Sequence, residues 1–443
     1  MSIKHSVFIL FLLSGFLSAG VESDTLRIGE GDKVVVDSVR IVGNEITKEF
    51  IIIREMTFSA GDTVDAKILD FNRERIYSVG IFNFVDIDLI RDSTITIARV
   101  SVKESWYIYP IPFLHLEENS LSKSTYGLNM LYKNFRGRDE TIRAILAFGY
   151  DPAYTLEYYN PVLLEEEDIS FRGTLFYSKI ANKSKLAEAF IGENFEYLFT
   201  GGAFTFGKRL NQFNQVYAGV GFSYVEAPDQ ATSVFTASEQ GIDRLPYLTF
   251  TYGYDTRDLT QFPKDGRLFI IDYTLKGVGV DDVLYNIFKF DYREYRLVYG
   301  DLKAKWRGVH RRTIGKHVPT YDKSYLGYGE YIRGHKGEKT EGDNYVAGSF
   351  EMSYPIFNEW NLSFNLPLIP QKLTSARLGM HIGLFVDSGA VFENEQKISD
   401  FNFSTGYGVG ITFLVLPYNA VRFEYSFNEQ GEGEFLIGSG FSF

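Results

Sequence analysis

Residues 287–298 read IFKFDYREYRLV, and the two parities of this stretch carry different chemistry. Phe288, Phe290 and Tyr292 fall on one side, Lys289, Asp291 and Arg293 on the other, because successive side chains of a strand point to opposite faces. The pattern recurs. Val421, Phe423, Tyr425 and Phe427 oppose Arg422, Glu424, Ser426 and Asn428, and Val216, Ala218, Val220, Phe222 and Tyr224 oppose a glycine-rich face. From Trp106 to Phe443 no helical period competes with segments of about ten alternating residues, the pattern of a transmembrane β-barrel.

Strands are expected at 107–116, 124–135, 139–150, 153–163, 168–180, 194–209, 214–226, 244–256, 266–278, 286–299, 301–314, 345–356, 377–392, 404–416, 420–428 and 434–443, about sixteen in all. The number is even, as in bacterial barrels. A soluble sandwich or propeller would not place Phe, Tyr and Leu on the outward parity of strand after strand. Composition agrees: the 443 residues include 16% aromatics, 41 Gly, only 12 Pro and no Cys, which is rich in strand formers. Zero cysteine excludes a disulfide scaffold, a thiolate metal site and a cysteine nucleophile. Against 57 acidic residues stand 45 basic ones, a net charge of −12, so no nucleic-acid partner is expected.

Residues 1–20, MSIKHSVFILFLLSGFLSAG, have a basic start, an apolar run and small residues at Ser18, Ala19 and Gly20, which reads as a secretory signal peptide. The apolar run falls short of the roughly 20 residues of a spanning helix. A short linker, 21–33, follows. From 34 to 104 the period changes repeatedly. VVVDSVRIV (34–42) is strand-like, Thr47 is placed to cap KEFIIIREM, Asp65 caps a second helix that Gly80 ends, and 82–90 with 94–102 form a hairpin. The order is β-α-α-β-β, a small α+β domain ahead of a mainly β chain.

That order, with GNEIT after the first strand and IYSVGIFNFVDI entering the second, resembles a POTRA domain. In the remainder (105–443), YGYDTRD with FPKDGRLFIIDY (252–273), YIRGH (331–335), SFEMSYPIF (349–357), LFVDSGAVF (384–392) and a terminal GSGFSF resemble, in this order, the bacterial surface antigen barrel of the outer-membrane assembly superfamily, the BamA and TamA relatives. The resemblance implies an outer-membrane protein with its POTRA-like domain in the periplasm. Its partners would be unfolded outer-membrane or secreted client proteins, the lipid bilayer and accessory assembly proteins.

In that family the sixth extracellular loop folds into the lumen and its arginine meets acidic groups on the wall. Here the loop carries Arg333, Gly334 and His335, where the family usually has an aromatic residue in place of the histidine. Parity independently turns Glu351 and Asp387 inward, away from Phe350, Met352, Leu384 and Val386. A guanidinium matches carboxylates in a fork that lysine cannot reproduce, although a loop arginine is commonly just a solvated charge.

No catalytic constellation is found: the six His are scattered, and HExxH, GxSxG and phosphate-loop patterns are absent. No enzyme activity and no cofactor or metal is expected. The expected function is insertion of clients into the outer membrane, through a barrel that opens between first and last strands. Pro110 and Pro112 in the first strand lack N–H donors on one edge, and Gly438 and Gly440, near the terminal Phe443, weaken the last. The rivals are a protein-translocating pore of two-partner-secretion type, whose relatives carry two POTRA domains and a plug helix for which 21–33 is too short, and a passive channel.

Overall fold

The computed structural model describes residues 26, 29, 31–92, 94–116, 121–192, 194–231, 235–280 and 283–440. The leader, most of the linker and Phe443 lie outside them. The N-terminal domain comprises β1 (Val34–Val35), β2 (Ser38–Val42), α1 (Glu49–Ile53), β3 (Thr63–Val64), α2 (Ala66–Ser78), β4 (Phe82–Asp92) and β5 (Ile95–Glu104). β4 and β5 form the expected hairpin and β2 lies parallel on β5. The stretch 34–42 is two strands rather than one. Val34 and Val35 turn away to pair with β3, while Val36 enters the core.

Local chemistry sets these boundaries. Asp65 caps α2 by accepting the Ile68 N–H at 2.9 Å, and Gly80 ends it at φ 75°. Thr47 does not cap α1; that place falls to Lys48. Thr47 is instead buried, its N–H and hydroxyl both donating to Glu104 Oε1 at 2.7 Å. Gly43 sits at φ 87°, and a Cβ there would stand 2.0 Å from the Val102 carbonyl oxygen, so the GNEIT turn tolerates no side chain at its first residue.

The second part opens with β6 (Ile108–Leu116), β7 (Ser124–Phe135), β8 (Glu140–Gly149), β9 (Ala153–Leu164) and β10 (Ile169–Ala181). It continues through α3 (Lys185–Ile191), β11 (Glu196–Arg209), β12 (Asn214–Glu226), β13 (Ile242–Asp255), β14 (Gly266–Lys276), β15 (Tyr285–Tyr299) and β16 (Leu302–Gly315). After the short β17 (Ser324–Leu326) and β18 (Thr340–Gly342) come β19 (Asn344–Ser363), β20 (Ser375–Phe392), β21 (Ser404–Leu416), β22 (Asn419–Asn428) and β23 (Gly433–Ser439).

β6 to β16 and β19 to β23 make one 16-stranded antiparallel sheet in which each strand adjoins its sequence neighbour, and β16 pairs with β19 across the long loop. Every expected strand is present. β19 runs on to Ser363, well past the expected end at 356, and α3 is a helix that strand parity gave no hint of, capped by Ser184 accepting the Ala187 N–H at 3.0 Å.

Side-chain parity holds in three dimensions. Val220, Phe222, Leu384, Phe435 and Ile437 are exposed on the outer face, while Arg422, Glu424, Ser426 and Asn428 are buried inside. The interior is polar, and the main apolar core lies elsewhere, at the junction of the two parts. Ile52, Ile76, Tyr77, Phe82 and Val100 pack there with Val162, Leu259, Leu414, Leu416 and Ala420 from the barrel strands and turns.

Ion pairs surround that core. Glu74 of α2 meets Arg377 of β20 at 2.8 Å, Glu55 meets Arg209 at 2.7 Å and Arg75 at 3.2 Å, and Arg54 meets Asp168 at 2.9 Å. The Arg377 guanidinium also stands 4.1 Å from the centre of the Tyr77 ring. Removing one partner of a buried pair strands the other charge, at a cost of about 3–5 kcal/mol. Glu74→Ala is therefore expected to loosen α2 from the barrel. Amide exchange over 66–78 should rise while the barrel ladders stay protected.

Candidate functional site

The long loop between β16 and β19 turns back into the barrel because it carries its own apolar anchor and its own charge. Leu326 and Ile332 pack on Val309, Tyr345 and Ala347 of the wall. Beside them Arg333, 4% exposed, donates from Nε and Nη2 to the two carboxylate oxygens of Asp387 at 2.7 and 2.8 Å. Its Nη1 reaches Glu351 at 3.2 Å and Glu424 at 2.9 Å. The Phe385 ring lies 3.5 Å from the guanidinium carbon, so the charge is held by a fork of acids on its edge and an aromatic face beneath.

Both expected acids meet Arg333, and the structure adds a third. Glu424 was visible as an inward residue of its strand, yet parity says only which face a residue takes, not which distant strand it will meet. Lys305 and Arg422, at 3.1 Å from Glu351 and 3.4 Å from Glu424, complete the network. A second tie was not anticipated. Arg307 of β16 grips Glu330 of the loop at 2.6 Å and Asp291 of β15 at 2.9 Å.

The glycines of β21 explain how a loop fits inside. A Cβ on Gly406 would stand 1.6 Å from the Arg333 carbonyl oxygen, one on Gly408 2.8 Å from the Phe385 ring, and one on Gly410 2.9 Å from Glu424. The strand is stripped of side chains where the loop, the ring and the acid need the space. Gly334, at φ 93°, makes the matching turn in the loop.

His335 replaces aromatic packing with charge. It is buried, with Nε2 2.7 Å from Glu429 of the β22–β23 turn and Nδ1 2.9 Å from Glu338. Burial pulls its pKa down, but hydrogen bonding and attraction from Glu338 and Glu429 prevail and hold it above the ordinary 6.5.

The two ends of the sheet are β6 and β23. Among the described residues no ladder joins them, although Tyr109 of β6 lies 6.1 Å from Tyr418 of the β21–β22 turn, ring centre to ring centre. Pro110 and Pro112 are inside the strand: β6 pairs continuously with β7 from Ile108 to Leu116. A proline cannot donate to that ladder, so its donor-less edge is turned to the seam. Gly438 pairs with Arg422 and makes room for it, since a Cβ would stand 2.9 Å from the guanidinium. Gly440 follows the strand at φ 103°.

The second part matches the Omp85 superfamily domain over residues 134–443, and residues 34–104 match the POTRA description, a surface antigen variable number repeat. The chain belongs to the Omp85 superfamily, as an outer-membrane β-barrel preceded by a POTRA domain. It is 22% identical to the outer membrane protein assembly factor BamA of Nitratidesulfovibrio vulgaris, across 94% of this chain and 52% of that protein. The chain thus spans about half the length of this curated relative.

Its fold is similar to that of BamA from Haemophilus ducreyi lacking POTRA domains 1–3, with TM-score 0.53, 16% identity and coverage of 95% and 89% of the two chains. It is also similar to CdiB from Escherichia coli, with TM-score 0.55, 9% identity and coverage of 91% and 75%.

Arg333→Ala is expected to free the loop and leave three buried acids without their shared cation, whereas Arg333→Lys restores only part of the fork. Gly406→Ala should mimic the loss with the ion pair chemically intact. Protease cleavage within 327–339, monitored by mass spectrometry on the folded barrel, reads all three variants. The His335 tie has its own signature. Because the folded-state pKa is raised, the tie is fully present below 6.5 and weakens as the pH climbs through the raised value. Cleavage near 335 should therefore increase in alkaline buffer, and His335→Gln should remove that dependence.

Proposed function

We propose that the protein assembles client proteins into the outer membrane without enzymatic chemistry, its POTRA domain receiving them in the periplasm and its barrel opening between β6 and β23 to template insertion. The observation that carries this reading is the seam: a first strand with two prolines and a short last strand followed by Gly440 are the two ends of the sheet, with no ladder between them among the described residues. Closing a barrel by hydrogen bonds removes its edges; a seam left unpaired supplies strand edges on which a client strand can add by β-augmentation.

The POTRA domain offers a matching docking edge. β4 lies at the edge of its three-stranded sheet, where Leu26 donates its N–H to the Leu89 carbonyl at 2.9 Å, and beside it a cavity of about 290 Å³ lies between Leu26, Ala66, Leu69 and Arg73 on one side and Ile87 and Leu89 of β4 on the other. An extended client peptide laid along β4 would take over the Leu89 carbonyl from Leu26 and place alternate side chains against this cavity.

Two features weigh against a passive channel. The loop lies in the lumen, where Arg333 is held against Asp387, Glu351 and Glu424 of three wall strands. Phe262, from the turn after β13, packs at a tilt against His381, ring centres 4.7 Å apart, and lies under the Lys303 ammonium at 4.4 Å. A protein-translocating pore stays as the rival reading, because the fold is equally near to BamA and to CdiB.

The chain has no cysteine, so engineered pairs across Tyr109 to His115 and Leu436 to Ser439 form disulfides without background. A locked seam is expected to leave the barrel folded and heat-modifiable while stopping client insertion, with reductant restoring it. Full activity of a quantitatively locked barrel would move the weight to transport through the lumen.

A further inference from the structure

β19 and β20 are far longer than their neighbours, at 20 and 18 residues, where about 9–11 tilted residues cross a bilayer. The last pair of β19 with β16 is Ser353 with Lys303. Beyond it, residues 354–363 pair with β20 alone, through bulges between Pro355 and Phe357 and between Phe357 and Trp360. The hairpin therefore projects past the rim of the barrel at the POTRA end.

Its tip, WNLSFNLPLIPQ (360–371), contains no charged residue. Phe364, Leu366, Leu368 and Ile369 are exposed, Leu368 fully so at 103%. Other turns at this end are charged, such as RGRD (136–139) and EEED (165–168). The neighbouring β15–β16 turn shares the apolar character, with Leu297, Val298 and Tyr299 exposed. An apolar patch of this kind on a protein surface marks an interaction site.

What covers it follows from continuity. Phe350, Tyr354 and Ile356 are exposed on the outward parity of β19, and Trp360, 58% exposed, continues that face into the tip, stacked on Phe357 at 4.9 Å. The outward face of an Omp85 barrel is the lipid face, and Trp at its lower margin sits where aromatic side chains meet the headgroups.

The root of the same hairpin clasps the POTRA domain. Lys372 pairs with Glu45 at 3.0 Å, its carbonyl accepts from Asn83 at 2.8 Å, and Lys103 reaches Ser363 at 3.3 Å.

We propose that residues 360–370 form a lipid-binding element that seats in the periplasmic leaflet of the bilayer beside the barrel, and that through Lys372 it fixes the height of the POTRA domain against the membrane. The ligand is the phospholipid surface itself, held by burial of apolar side chains at the headgroup boundary.

The full chain carrying Leu368→Cys, labelled with an environment-sensitive fluorophore and reconstituted in phosphatidylcholine–phosphatidylglycerol vesicles, tests this directly. Glu166→Cys, in an acidic turn at the same end, is the reference. Expected are a blue shift and quenching by nitroxide-labelled lipid at 368 but not at 166, with Leu366→Cys giving the same result if the first variant does not fold. Emission at 368 as water-exposed as at 166, or shielded only when periplasmic protein is added, would overturn the lipid assignment in favour of a protein partner. A variant with Leu366→Asp, Leu368→Asp and Ile369→Asp should also raise amide exchange across the POTRA contact with Lys372. Unchanged exchange in a variant whose tip has left the lipid would overturn the coupling.

Discussion

One guanidinium organises the inside of this barrel. A sixteen-stranded sheet encloses more space than its own side chains fill, and the inward parity that lines it is largely polar. Arg333 answers both problems. It carries a loop into the lumen as filling, and it draws together acids from β19, β20 and β22, strands toward the C-terminal end of the sheet. Isolated acids in a water-poor interior would repel one another; around a shared cation they become a staple. Strands of the C-terminal half are thus held to one another through the loop as well as through their ladders.

The glycine stripe of β21 shows how strongly the rest of the sequence is bent to that purpose. Side chains at 406, 408 and 410 would collide with the loop backbone, with Phe385 and with Glu424. The strand gives up interior packing and backbone rigidity, which weakens a β-strand on its own, so that the loop can lie directly on it. His335 extends the principle to the outer mouth, where two carboxylates do for an imidazole what packing would do for an aromatic ring.

How much of this could be read from residues alone depends on range. The alternation in 287–298 and 421–428 is a local property of the chain, so strands, their faces and their number were legible. So were Glu351 and Asp387 as inward acids and the prolines as edge markers. Glu424 was readable as inward but not as a partner of Arg333, because that requires knowing that residues 91 apart in sequence meet in space. Thr47 looked like a cap because its neighbours permit one; Glu104, at the far end of the domain, claims it instead. The overlong β19 escaped because its lower half, with two bulges, breaks the period by which strands are recognised.

The junction core has a consequence for how the molecule is made. Tyr418 bonds Asn83, Arg377 bonds Glu74, and Leu414, Leu416 and Ala420 complete a cluster begun by Val36 and Ile52. These contacts join positions 335 and 303 apart, and such distant pairings are slow because loop closure precedes any reward. The N-terminal domain supplies most of this cluster itself, and the barrel closes over its remaining flank with residues from both halves of its sheet, Val162 and Leu259 as well as Leu414, Leu416 and Ala420. The last native contacts of the N-terminal domain are thus with some of the last residues of the chain, and the interface between the two parts is complete only when the C-terminal hairpins are in place.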